Sequence, residues 1–101
     1  METLRVLAAR LEEASATLES VSRMVTATDP PHPAFGTHAE GRPGEVGRAL
    51  HRQWTVATGD RAREAHAAAT RLAAAASALR DAADRYASTD ESVRRRLARE
   101  A

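Results

Sequence analysis

Cysteine and lysine are both missing from this chain, and phenylalanine, tyrosine and tryptophan occur once each. Without cysteine there is no disulfide framework and no thiolate metal site, and the redox compartment leaves no trace. With so few aromatic side chains, little bulk is available to fill a core. Long apolar runs are absent too, so no segment has the length of a membrane span. The first residues carry a charge every few positions, unlike the apolar heart of a signal peptide. The expectation is synthesis in the cytoplasm and, if the protein leaves the cell, export without a cleaved signal peptide and without stable membrane insertion. A net charge of +1 excludes a strong pull toward nucleic acid or anionic lipid. At 101 residues, the chain is expected to form a single domain, residues 1–101.

What is present is heptad spacing. Leu4, Leu7, Leu11, Ala14, Leu18, Val21 and Val25 step by three and four, which predicts a helix over residues 3–27 with one packing seam. Glu12, Glu13, Glu19, Arg5, Arg10 and Arg23 fall outside that seam. Glu19 and Arg23 are oriented for an i,i+4 pair worth about 0.2–0.5 kcal/mol.

Asp29-Pro30-Pro31-His32-Pro33 ends the first helix, because proline lacks an amide donor and disfavours helix in the residue before it. All four prolines and three of the five glycines lie before residue 45 in this stretch, so 28–44 reads as a loop. Its one apolar feature is Phe35-Gly36, either tucked over the end of the bundle or offered as a recognition tip. A second helix is expected over 45–87, with Val46, Leu50, Trp54 and Ala57 as its first stripe. From Ala65 a second seam runs through Ala68, Leu72, Ala75, Leu79, Ala82 and Tyr86, then Asp90, Val93 and Leu97. The two stripes are out of register, so the helix either continues with a register shift or breaks at Gly59 and restarts with Asp60 as N-cap; continuity, with a kink at Gly59 allowed, is the expectation. Ser88 and Glu91 have capping-box spacing; they start a short C-terminal helix or mark fraying within the tail, residues 86–101.

Two seams joined by one loop make an all-α antiparallel helical hairpin. The large side chains Leu4, Leu7, Leu11, Leu18, Val21 and Val25 face an alanine-rich stripe carrying Leu72 and Leu79, with Leu50 and Trp54 nearer the loop. At 1.5 Å per residue the first helix spans about 37 Å and the second about 65 Å, so the second overhangs the first. A core this small is marginal by itself, which implies pairing into a four-helix bundle.

Chemistry is scarce. His32, His38, His51 and His66 lack metal-ligand spacing to one another or to clustered carboxylates. No phosphate-cradling glycine loop and no nucleophile elbow occurs. The reading is a non-enzymatic protein with no cofactor and no metal. Arg94–Arg99 is flanked by the acids Asp90, Glu91 and Glu100, and cations suit a helix C-terminus anyway, so no nucleic-acid partner is expected.

One constellation stands out: the sole tyrosine, Tyr86, is followed one turn later by Asp90 on the same seam, with Val93 and Leu97 beyond. A carboxylate in a packing stripe costs stability unless solvated or paired. Either Tyr86 caps the bundle while Asp90 merely pairs with Arg94, or the two are displayed for recognition. A hairpin of this length ending in Tyr-x-x-x-acid resembles the WXG-type small helical substrates of type VII secretion, above all their EspC-like actinobacterial branch. The use of arginine for every cation and the abundance of alanine suit a GC-rich genome of that kind. The resemblance implies export without a cleaved signal and pairing as a homo- or heterodimer with another helical hairpin or a secreted effector. It also implies that Tyr86, Asp90, Val93 and Leu97 form an export signal read by the secretion ATPase. The Trp-x-Gly turn of that family is absent: Trp54 lies in the second helix and the loop offers Phe35-Gly36, which favours a partner that supplies the turn. The alternative is a cytosolic four-helix-bundle adaptor or structural dimerisation module.

Overall fold

A computed structural model describes residues 2–101. They form α1 (Glu2–Ala27), a single 3-10 turn (His32–Phe35) and α2 (Gly41–Glu100), with no strand among the described residues. The chain is a helical hairpin. Its backbone divides into two compact units, α1 as far as Thr17 with Ala69–Ala101, and Leu18–Ala68.

In the first unit the helices run antiparallel. Arg5 pairs with Asp84 at 2.8 Å, Glu12 pairs with Arg80, and the Ser15 hydroxyl donates to the carbonyl of Ala69 at 2.8 Å. Ala8, Ala69, Ala76 and Ala83 are enclosed, Ala8 and Ala76 completely. In the second unit the Ser22 hydroxyl donates to the carbonyl of Ala62 at 2.8 Å, and Glu19 meets His66 at 2.6 Å. Glu19 thus faces α2 rather than Arg23.

These contacts set a seam that differs from the predicted one by one residue at alternate positions. The inward face of α1 is Leu4, Ala8, Leu11, Ser15, Leu18, Ser22 and Val25. That of α2 is Ala62, Ala65, Ala69, Leu72, Ala76, Leu79 and Ala83. Leu4, Leu11, Leu18, Val25, Leu72 and Leu79 keep their predicted places, while Leu7, at 45% exposure, and Val21 turn outward. The physical reason is layering. Leu11 falls level with Leu72, and Ser15, one turn on, with Ala69. Layers of small residues bring the backbones close enough for a serine hydroxyl to reach a helix carbonyl across the interface, and a leucine in those layers would hold the helices apart.

The helix boundaries also differ from expectation. α2 begins at Gly41 rather than 45, because Pro43 sits in the first turn, where its missing N–H has no partner to lose. α2 passes through Gly59 unbroken, the continuity the sequence favours, but no separate helix starts at Ser88; α2 runs on to Glu100. Leu50 and Trp54, placed by the sequence in the packing seam, are exposed, because with Ser22 opposite Ala62 the end of α1 at Ala27 is level with about Ala57, and α1 does not reach them.

Two glycines of α2 carry opposite expectations for the same substitution. A Cβ at Gly47 would overlap the Phe35 carbonyl oxygen, whereas one at Gly59 would meet only the tip of the flexible Arg63 side chain at 3.5 Å. Alanine is favoured over glycine in a helix by about 0.8–1 kcal/mol. Gly59→Ala is therefore expected to raise the melting temperature by about 4–8 °C. Gly47→Ala should lower it despite the same propensity gain, since overpacking costs about 1–3 kcal/mol. Thermal melts followed by circular dichroism decide both; equal shifts would refute the close approach at Gly47.

Candidate functional site

Beyond Asp84, α2 continues for roughly four turns. No glycine or proline interrupts it after Asp60, and alanine and arginine are strong helix formers. Local charges support it further. The Asp90 carboxylate lies 2.6 Å from Arg94, and Glu91 lies 3.8 Å from Arg94 and 3.6 Å from Arg95. Each acid precedes its cation, the favourable polarity along a helix.

Steps of three and four from buried Ala83 lead to Tyr86, Asp90, Val93 and Leu97. The face that α1 covers earlier in α2 thus runs on through these four positions. Tyr86 is 61% exposed, Val93 46% and Leu97 61%. Tyr86, Ala87, Thr89, Asp90 and Val93 line a shallow depression there. All four predicted signal residues share one exposed face, and Asp90 is both accessible and paired with Arg94. A surface pair of this kind contributes roughly 0.3–0.5 kcal/mol, so it leaves the carboxylate free to change partners. The arrangement offers a phenol, a carboxylate and two aliphatic side chains in a row.

A second cluster lies at the hairpin turn. His32, at the start of the 3-10 turn, has its ring centroid 4.1 Å from that of His51 and 6.1 Å from that of His38. Phe35 is half-buried, edge-on to His51 at 5.3 Å and tilted against Trp54 at 6.2 Å. The indole Nε1 donates to Asp29 at 3.0 Å, which ties α2 to the end of α1. Gly36 ends the 3-10 turn in the left-handed region, with φ of 72°. Buried Thr37 places its hydroxyl 3.0 Å from His32 Nδ1 and 3.1 Å from the His32 carbonyl, and Arg48 donates to the Thr37 carbonyl at 2.9 Å. Sequence spacing treats the histidines separately and misses this gathering of three. The available signal is that His51 precedes Trp54 by one turn, so both face the loop. Among the described residues, no group of three or more histidine, cysteine or acidic side chains has an arrangement able to hold a metal ion.

His32 is held below the ordinary imidazole pKa by desolvation, then by the charges of His51 and His38. The unfolded chain therefore takes its proton first as pH falls. Stability from this group is complete above about 6.5 and declines as pH drops toward the lowered folded value. Of the other charged groups at the turn, Arg48 is bonded to the Thr37 carbonyl and Asp29 to the Trp54 indole. Acidification from pH 7.5 to 5.5 is expected to loosen the turn and shift the emission of Trp54, the only tryptophan. Unchanged emission and unchanged melting across that range would contradict it.

No helix among the described residues is long and apolar enough to cross a membrane. Comparison with protein-family models, with curated proteins and with solved structures finds no match for this chain.

Proposed function

We propose that the chain is a non-enzymatic type VII secretion substrate, or the targeting partner of one, whose export signal is Tyr86, Asp90, Val93 and Leu97. The observation that carries the reading is the outward display of this stripe on continuous helix, with Tyr86 and Leu97 each 61% exposed. An aromatic ring and a carboxylate one turn apart supply shape and charge to a reader, here the secretion ATPase, and Val93 and Leu97 extend the contact face. The enclosed apolar side chains among the described residues are four alanines, a small core that suits a chain completed by a second helical hairpin or a secreted effector. The resemblance to WXG-type proteins of actinobacteria supplies the direction of travel: synthesis in the cytoplasm and export to the envelope or medium with no cleaved signal. Cell fractionation of Tyr86→Ala and Asp90→Ala variants, in hosts with and without the secretion machinery, tests the proposal.

A further inference from the structure

The interface between α1 and α2 does not end where its cover ends. In the first unit, α1 covers Ala69, Leu72, Ala76, Leu79 and Ala83 of α2, and the same heptad stripe continues as the exposed Tyr86, Asp90, Val93 and Leu97, over which none of the described residues lies. A helix laid on this extension must run antiparallel to α2, as α1 does, to use the same packing. It must also bring a cation to Asp90, the one polar member of the stripe, because covering a carboxylate without a partner is costly.

The stripe satisfies both conditions by itself. Consider two copies of the segment laid antiparallel about a two-fold axis between Glu91 and Ser92. Tyr86 of each copy then falls level with Leu97 of the other, and Asp90 with Val93. Arg94, one turn beyond Asp90 and on the flank of the stripe, comes opposite Asp90 of the other copy. The contact is isologous, so each charge match occurs twice. The present Asp90–Arg94 pair, exposed and 2.6 Å long, is exchanged for one between chains at little cost. We propose that the exposed end of α2 is a self-association surface that takes the same segment of a second copy, antiparallel, with reciprocal Asp90–Arg94 pairs. An overlap of about four turns makes an interface below about 1,200 Å², in the weak class. This surface does not depend on the export reading and would operate equally in a protein that stays in the cell.

The full chain is tested by sedimentation equilibrium from about 10 µM to 1 mM, a range that brackets weak association. Self-association is expected, and Asp90→Arg should weaken it roughly tenfold by placing like charges together. The double variant Asp90→Arg with Arg94→Asp should restore it. The absence of native cysteine allows a geometric check. A Tyr86→Cys, Leu97→Cys double variant should form a covalent dimer on oxidation, and neither single variant should. A chain monomeric throughout the range overturns the proposal. Association indifferent to Asp90→Arg overturns it as well, since a different face would then be responsible. A covalent dimer from either single variant implies parallel pairing and has the same consequence. Helicity measured alongside guards against a folding defect, and the charge-swapped variant separates this surface from the export signal, because it retains self-pairing while losing the Asp90 carboxylate.

Discussion

Replacing Tyr86 or Asp90 by alanine is expected to retain the protein in the cells that make it while leaving its helical content near that of the parent chain. Neither residue contributes to the hairpin core: Tyr86 is largely exposed and, among the described residues, Asp90 bonds along its own helix to Arg94. Alanine has a higher helix propensity than tyrosine or aspartate. Loss of the Asp90–Arg94 pair removes roughly 0.3–0.5 kcal/mol. Folding therefore gives no route to a large effect, whereas recognition does. Truncation of a central aromatic or charged anchor at an interface commonly costs 2 kcal/mol or more, about a 30-fold loss of affinity. The ratio of secreted to cell-associated protein should fall by a comparable factor in either variant. Asp90→Asn tests the charge alone, keeping the shape of the side chain. Normal secretion of both alanine variants would end the export proposal and leave a cytosolic adaptor as the better description.

The largest effect on the fold is expected from Ala76→Leu. Ala76 is completely enclosed and lies in the small-residue layer with Ala8, equally enclosed. Three added carbons have no space there unless α1 and α2 separate, and separation would break the neighbouring contact from Ser15 to the Ala69 carbonyl. Overpacking costs about 1–3 kcal/mol, a large share of the stability of a small domain. The melting temperature is expected to fall by about 10 °C or more. Leu7→Ala supplies the contrast: because Leu7 is 45% exposed, its truncation should cost well under what Leu11→Ala costs at its half-buried position. The register predicted from apolar bulk alone would make the two leucines equivalent. Thermal melts of the three variants distinguish the registers. A Leu7→Ala chain that melts like Leu11→Ala, beside an unperturbed Ala76→Leu, would restore the predicted one.

The amino-acid sequence by itself determines the class and direction of this fold. Leucines at three- and four-residue steps demand helix, Pro30, Pro31 and Pro33 end it, and the unequal lengths of the two periodic stretches imply that the second helix outruns the first. The stripe from Tyr86 to Leu97 is legible for the same reason: steps from Leu79 through Ala82 and steps through Ala83 both lead to Tyr86. Rotation of the seam is different. Leu4-Leu7-Leu11 and Leu4-Ala8-Leu11 are equally good heptads, and apolar bulk favours the first. Only with α2 in place do Ser15 and Ser22 find carbonyls to bond, and close approach of two backbones then outweighs the burial of Leu7 and Val21. The turn shows the same division, since proline and glycine mark it in the chain, while the meeting of His32 and Phe35 with His51 and Trp54 depends on how α2 returns past the loop. A helix repeat specifies which residues share a face, but which of two adjacent faces is buried depends on atoms contributed by the other helix.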